Sequence, residues 1–139
     1  MKIVKTVTSL VLLASAMFTA CGCVSRYGSR ELSQVEEDRD VLKSSDKSAD
    51  ETLEKNPQYL TDVTAVRSFA GNIQRQAECR PVEVSLIDIA SRNLCKAIEA
   101  GASEEERRHC FRRLYEFNYR VFLRFVHRRA GELAEPYSR

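Results

Sequence analysis

From Glu104 to Ala130 apolar residues recur at the spacing of a helix, and this stretch sets what the chain can build. Cys110, Phe111, Leu114, Phe117, Val121, Phe122, Phe125 and Val126 fall on one side and cover nearly half the circumference. Ser103-Glu104-Glu105-Glu106 in front of it matches a capping box, with three acids favourable at the positive helix end. Gly131 and Pro136 mark its end. A face this wide has to be covered by other elements.

Two shorter amphipathic segments precede it. Beyond Asn56-Pro57, Leu60, Val63, Val66, Ala70, Ile73 and Ala77 recur at helical spacing, with Phe69 beside the stripe. With Thr61 as N-cap, this predicts a helix from about Asp62 to Glu78. Arg80-Pro81 closes it, because proline disfavours the α conformation in the residue before it. A second helix is predicted from about Val82 to Ala100, with Val84, Ile87, Leu94, Cys95 and Ile98 on one stripe, Leu86 and Ile89 broadening it, and Gly101 where a left-handed cap would sit. No period-2 run of strand residues appears. The expectation is an all-α fold: a small three-helix bundle over residues 58–139, its neighbours antiparallel because the connections are short.

The front of the chain has a different character. Lys2 and Lys5 precede an apolar run from Val7 to Phe18, too short for the roughly 20 residues of a bilayer-spanning helix. Small residues then lead into Cys21, so residues 1–20 read as an export signal. Phe18-Thr19-Ala20-Cys21 resembles the lipobox of bacterial lipoprotein precursors, with Phe where Leu is usual. That resemblance implies cleavage after Ala20, a diacylglyceryl thioether on Cys21 and N-acylation. The alternative is an ordinary secretory signal with Cys21 merely nearby. Gly22, in place of Asp, is similar to the sorting position of outer-membrane lipoproteins and implies a lipid-anchored protein facing the periplasm.

Residues 21–57 are expected to form the lipidated N-terminus and a disordered acidic linker. Residues 24–57 carry 6 basic and 9 acidic side chains, against 14 and 11 in residues 58–139. The run Lys43-Ser44-Ser45-Asp46-Lys47-Ser48-Ala49-Asp50-Glu51 has almost nothing to bury, so its composition does not offset the entropy of ordering. Leu32, Val35 and Leu42 share a stripe, which allows one short, frayed extra helix around Glu31–Leu42.

The chain has 5 cysteines. An exported protein meets an oxidising environment, which favours bridges. Cys95 and Cys110 lie seven or eight residues either side of the turn near residue 102, level with each other on an antiparallel hairpin. They are expected to form a disulfide worth about 3 kcal/mol in the chain-entropy model, the alternative being two small buried thiols. Cys79 lies at the far end of the second helix, on the order of 20 Å away. It pairs with Cys23 or stays free.

Candidate chemistry is sparse. His109 and Cys110 are adjacent, so on a helix they diverge by about 100° and form no nucleophile–base pair. His127 lies on the polar side. There is no Gly-x-Ser-x-Gly, His-Glu-x-x-His or phosphate-binding glycine loop. The cysteine spacings lack the close pairs of zinc sites. Neither catalytic residues, metal nor cofactor are assigned, and an enzyme is not expected.

The third helix is instead rich in arginine and has no lysine. Arg113, Arg120 and Arg124 follow one edge of the apolar face, beside Phe117 and Val121, and guanidinium suits carboxylate and phosphate. These residues either meet a partner or form a solvated face paired within the chain. An incompletely covered apolar face would leave a groove for an added helix. The expected function is a membrane-anchored, non-catalytic binding or assembly module with an envelope protein as partner, and no nucleic acid or small-molecule substrate. The alternative is a structural lipoprotein holding peptidoglycan or lipopolysaccharide. In general plan such a chain looks like the pilotins of secretion systems, small helical lipoproteins that escort secretin subunits, although no motif in residues 58–139 carries that likeness.

Overall fold

Backbone groups at the helix ends find their partners locally, which explains where each helix starts and stops. In the computed structural model, which describes residues 34–134, the first helix, α1, covers 34–55, and a 3-10 turn, Pro57–Leu60, follows. Helix α2 is Val63–Gln74, α3 is Pro81–Glu99 and α4 is Glu104–Ala134. Asp62, rather than Thr61, caps α2 by accepting the Thr64 N–H at 2.8 Å. The helix ends four residues earlier than predicted, and the Gln74 side chain donates to the Val84 carbonyl at 2.9 Å, tying this corner to α3. Pro81 opens α3, where its missing N–H has no consequence. The Arg80 N–H before it is taken by Glu83 Oε2 at 3.2 Å.

Gly101 is the one described residue with a positive φ, 65°. It closes α3 with the paired bonds of a Schellman cap, Ala102 N–H to Ala97 at 3.0 Å and Gly101 N–H to Ile98 at 3.1 Å. Ser103 Oγ accepts the Glu106 N–H at 3.2 Å and starts α4. α4 runs through Gly131, past its expected end. A helical glycine is unfavourable by only about 1 kcal/mol relative to alanine, and the Arg129–Glu132 pair at 3.3 Å spans that position.

The described residues are helical with no strand, a small all-α bundle as expected. Among the described residues the bundle has four helices, the extra N-terminal one being longer than predicted. By contacts the chain divides into units 1–41 and 42–139. Within the second, α3 packs on both α2 and α4. The core joins Val66, Ala70 and Ile73 to Ile87, Leu94 and Cys95, and to Phe111, Leu114 and Val121. Tyr59, Phe69, Phe111 and Tyr115 form an aromatic cluster with ring centroids 5.1 to 6.1 Å apart.

The linker expectation needs correction. Residues 34–55 are helical, and the packed unit starts at Leu42 rather than Gln58. Ser45, Ala49 and Leu53, spaced by four, are 0, 0 and 2 % exposed. Thr52 Oγ1 returns to the Ser48 carbonyl at 2.8 Å, and Asn56 N–H closes the last turn on Thr52 at 2.9 Å. A stripe of small side chains suffices because its partner supplies the bulk. The export signal, Cys21 with its lipid, Gly22, Cys23, Leu32 and Pro136 lie outside the described residues.

Candidate partner-binding site

α4 holds eight arginines, and every one has a partner within the chain. Arg107 Nη1 donates to the Leu60 carbonyl at 2.7 Å, fastening the 3-10 turn. Arg108 meets Glu104 at 2.8 Å, one turn back. Arg112 grips Asp50 with two bonds, Nε to Oδ1 at 3.0 Å and Nη2 to Oδ2 at 2.9 Å. Arg113 reaches Asp46 and Glu116, both at 3.3 Å, and Arg120 meets the same Glu116 at 3.0 Å. Arg124 joins the Glu83 carboxylate and the Glu78 carbonyl. Arg128 meets Glu78 at 2.6 Å, and Arg129 meets Glu132.

Arg113, Arg120 and Arg124, expected to meet a partner, are therefore engaged inside the molecule, holding α1, their own helix and α3. Hydrogen bonds donated to Asp50 hold the Arg112 guanidinium still more firmly protonated, against a smaller opposing effect of burial. Val121 is 0 % exposed and belongs to the core, so it does not meet a partner. Phe117 is only partly buried.

Phe117 lies in a groove of about 320 Å3 between α3 and α4. Leu86, Ile89 and Ala90 line the α3 side, Phe117 and Cys110 the α4 side, and Asn93, His109 and Arg113 supply the polar rim. Leu86 and Ile89 are 45 and 48 % exposed, so they do not broaden the core stripe as their spacing suggested. With Val82, also exposed, they form a second apolar stripe, far around α3 from Ile87, Leu94 and Cys95. The spacing of Val82, Leu86 and Ile89 by four and three could have revealed that stripe. The acids that matter on α1, Asp46 and Asp50, were hidden by their place in a polar run.

The structure does not bring Cys95 and Cys110 together. Cys79, Cys95 and Cys110 are all free thiols. Level along the hairpin is not enough, because direction also counts. Cys110 faces the groove beside Ala90 and Asn93, and at 3.6 residues per turn Cys95 lies roughly 140–160° around α3 from those two. Cys95 is instead a buried core residue.

Burial pushes the Cys110 thiol above its ordinary pKa, with Glu106 adding to the shift. Burial also raises Cys79, with Glu83 adding and Arg124 opposing. Both shifts disfavour the reactive thiolate at neutral pH. Among the described residues no three His, Cys, Asp or Glu side chains gather as a metal site would need.

A second apolar patch lies along the far half of α4. Phe122, Phe125 and Val126 are exposed there, beside Gln76, Ala77 and Glu78. Arg128 and Arg129 stand 5.7 and 5.6 Å from the Phe125 ring centre. Comparison with known proteins returned no matching family, no matching curated protein and no matching solved structure.

Proposed function

We propose that this chain is a non-catalytic binding or assembly module, held in the cell envelope by lipid on Cys21 and facing the periplasm. It seats an apolar segment of an envelope protein in the groove between α3 and α4. The observation that carries this reading is the exposure of Leu86 and Ile89 beside Phe117. Three large apolar side chains lining one concave surface lose water-contacting area when a partner covers them, at about 25 cal/mol per Å2. Asn93 and His109 on the rim offer hydrogen bonds to a partner's polar groups, Arg113 being held by Asp46 and Glu116. Internal pairing of Arg113, Arg120 and Arg124 weighs against the alternative of a structural lipoprotein holding peptidoglycan or lipopolysaccharide, since every arginine of α4 already has a partner within the chain.

The test places a photoreactive amino acid at Ile89 in the full, membrane-extracted chain. The expected result is crosslinking to one envelope protein, lost in a Leu86→Glu variant whose helical circular dichroism is unchanged. Sedimentation with peptidoglycan or lipopolysaccharide and release by salt, with no crosslinked protein, would support the alternative. Mass spectrometry of the same extract under non-reducing conditions reports the lipid on Cys21. An unlipidated chain beginning upstream of Cys21 removes the anchor from this reading.

A further inference from the structure

We propose that residues 42–50 of α1 occupy, within their own chain, a docking surface on α4 suited to an acidic helix of a partner protein, which takes their place when it binds. This rests on the binding-module reading and names the chemistry of the partner.

The α1 contact buries less apolar side chain than the contact of α4 with α3, which has an ion pair of its own, Arg124 with Glu83. The specific bonds of the α1 contact are polar: Asp50 on Arg112, Asp46 on Arg113, and the Ser48 hydroxyl on the Tyr115 hydroxyl at 3.0 Å. What the segment buries is small, Ser45 and Ala49. The contact is also incompletely satisfied. Ser45 Oγ and Arg113 Nε are both buried without a hydrogen-bond partner, and orphaned polar groups of this kind weaken a contact. Leu53, fully packed, holds the last turn of α1, so the segment before it can lift while its end stays fixed.

The surface that lifting would leave is complementary in charge to an acidic helix. Among the described residues Asp50 is the carboxylate that Arg112 pairs with, and Arg113 would keep only Glu116, which it shares with Arg120. A guanidinium fork recognises carboxylate geometry as well as charge. The segment shows what fits: two carboxylates four residues apart, with small side chains on the same face so that the helix can approach closely. A partner helix with that pattern and an apolar residue where Ser45 stands would make the same ion pairs and remove one of the orphaned groups.

Two measurements on the full chain test this. The first is hydrogen exchange. Amides of residues 42–50 should exchange at least tenfold faster than those of Ile87–Cys95, and faster again in 1 M salt. The second uses a fluorescein-labelled peptide with the sequence of residues 40–55 as the probe. It should bind a chain carrying Asp46→Lys and Asp50→Lys at least tenfold more tightly than the natural chain. Adding Arg112→Glu and Arg113→Glu should reverse the charges, restore protection of 42–50 and abolish peptide binding.

Protection of 42–50 equal to that of α3 overturns the proposal. So does failure of the peptide to bind the doubly substituted chain, or equal competition by polyglutamate of the same length, which would reduce the surface to unspecific charge. The surface and the groove share Arg113, but Asp46→Lys and Asp50→Lys leave the groove side chains unchanged, so success here with no crosslink at Ile89, or the reverse, separates this proposal from the reading it rests on.

Discussion

The two flanks of α4 hold their neighbours by different physics. Toward α2 and α3 it presents Phe111, Leu114 and Val121, all completely buried. Each such side chain contributes about 1.5–3 kcal/mol through loss of water contact. Toward α1 it presents Arg112, Arg113 and Tyr115, which meet carboxylates and a hydroxyl. Partly exposed ion pairs contribute about 0–1 kcal/mol each and weaken with salt. One flank is held mainly by area, with Arg124–Glu83 and Arg128–Glu78 as its ion pairs, and depends less on ionic strength. The other is held by charge, with a single large apolar anchor, Leu53. A protein that must keep its shape yet exchange one contact needs both kinds.

Phe111→Ala should be the most damaging single change. Phe111 stacks with Tyr59 at 5.5 Å and Phe69 at 5.6 Å, so its removal leaves a cavity in the aromatic cluster itself. The expected loss is about 3–5 kcal/mol, read as a lower urea midpoint. A loss below about 1 kcal/mol would mean that this flank is no firmer than the other, and the contrast would collapse. Leu53→Ala comes next, at about 2 kcal/mol, the low end for a buried leucine because α1 can relax around it. Its signature should be local. Amide exchange should accelerate throughout residues 42–55 and stay slow in α3. Equal acceleration in α3 would show α1 to be integral to the core.

The contrast also explains what could be foreseen from the residues. The three later helices were legible because Ile73, Leu94, Leu114 and their neighbours repeat at helical spacing, and because Gly101 and Ser103 carry strong end signals. α1 was not. Its buried positions are Ser45, Ala49 and Leu53, and a Ser–Ala stripe among acids is what a solvated linker also looks like. Its charged partners are Arg112 and Arg113, some 60 residues away, which no local window contains. The site divided in the same way. Phe117 and Val121 share the α4 face, yet Phe117 is only partly buried while Val121 lies in the core. Periodicity tells which residues share a face but not how far the neighbouring helix covers it. Leu86 and Ile89 were misread for a related reason: α3 has two apolar stripes, and α2 and α4 together cover only the one that holds Ile87, Leu94 and Cys95.

The groove between α3 and α4 belongs to neither flank, and Cys110 reports on it. The thiol keeps its proton to higher pH in the folded protein than in the unfolded chain, because burial and Glu106 both disfavour the thiolate. The folded state therefore binds more protons than the unfolded state once the unfolded thiol begins to ionise, near its ordinary pKa of about 8.5. This contribution is fully present below that value and is lost as pH rises through it toward the raised folded value. Stability should fall on the alkaline side, by less than the Leu53→Ala effect. Cys110→Ser should flatten that limb, and Cys79→Ser should flatten what remains, since Cys79 is shifted in the same direction. Urea midpoints at neutral pH and at about pH 9.5 measure it. An occupant seated beside Phe117 would bury Cys110 further and extend the alkaline fall to higher pH from the same onset, so a fall of unchanged extent in the complex would place the partner elsewhere.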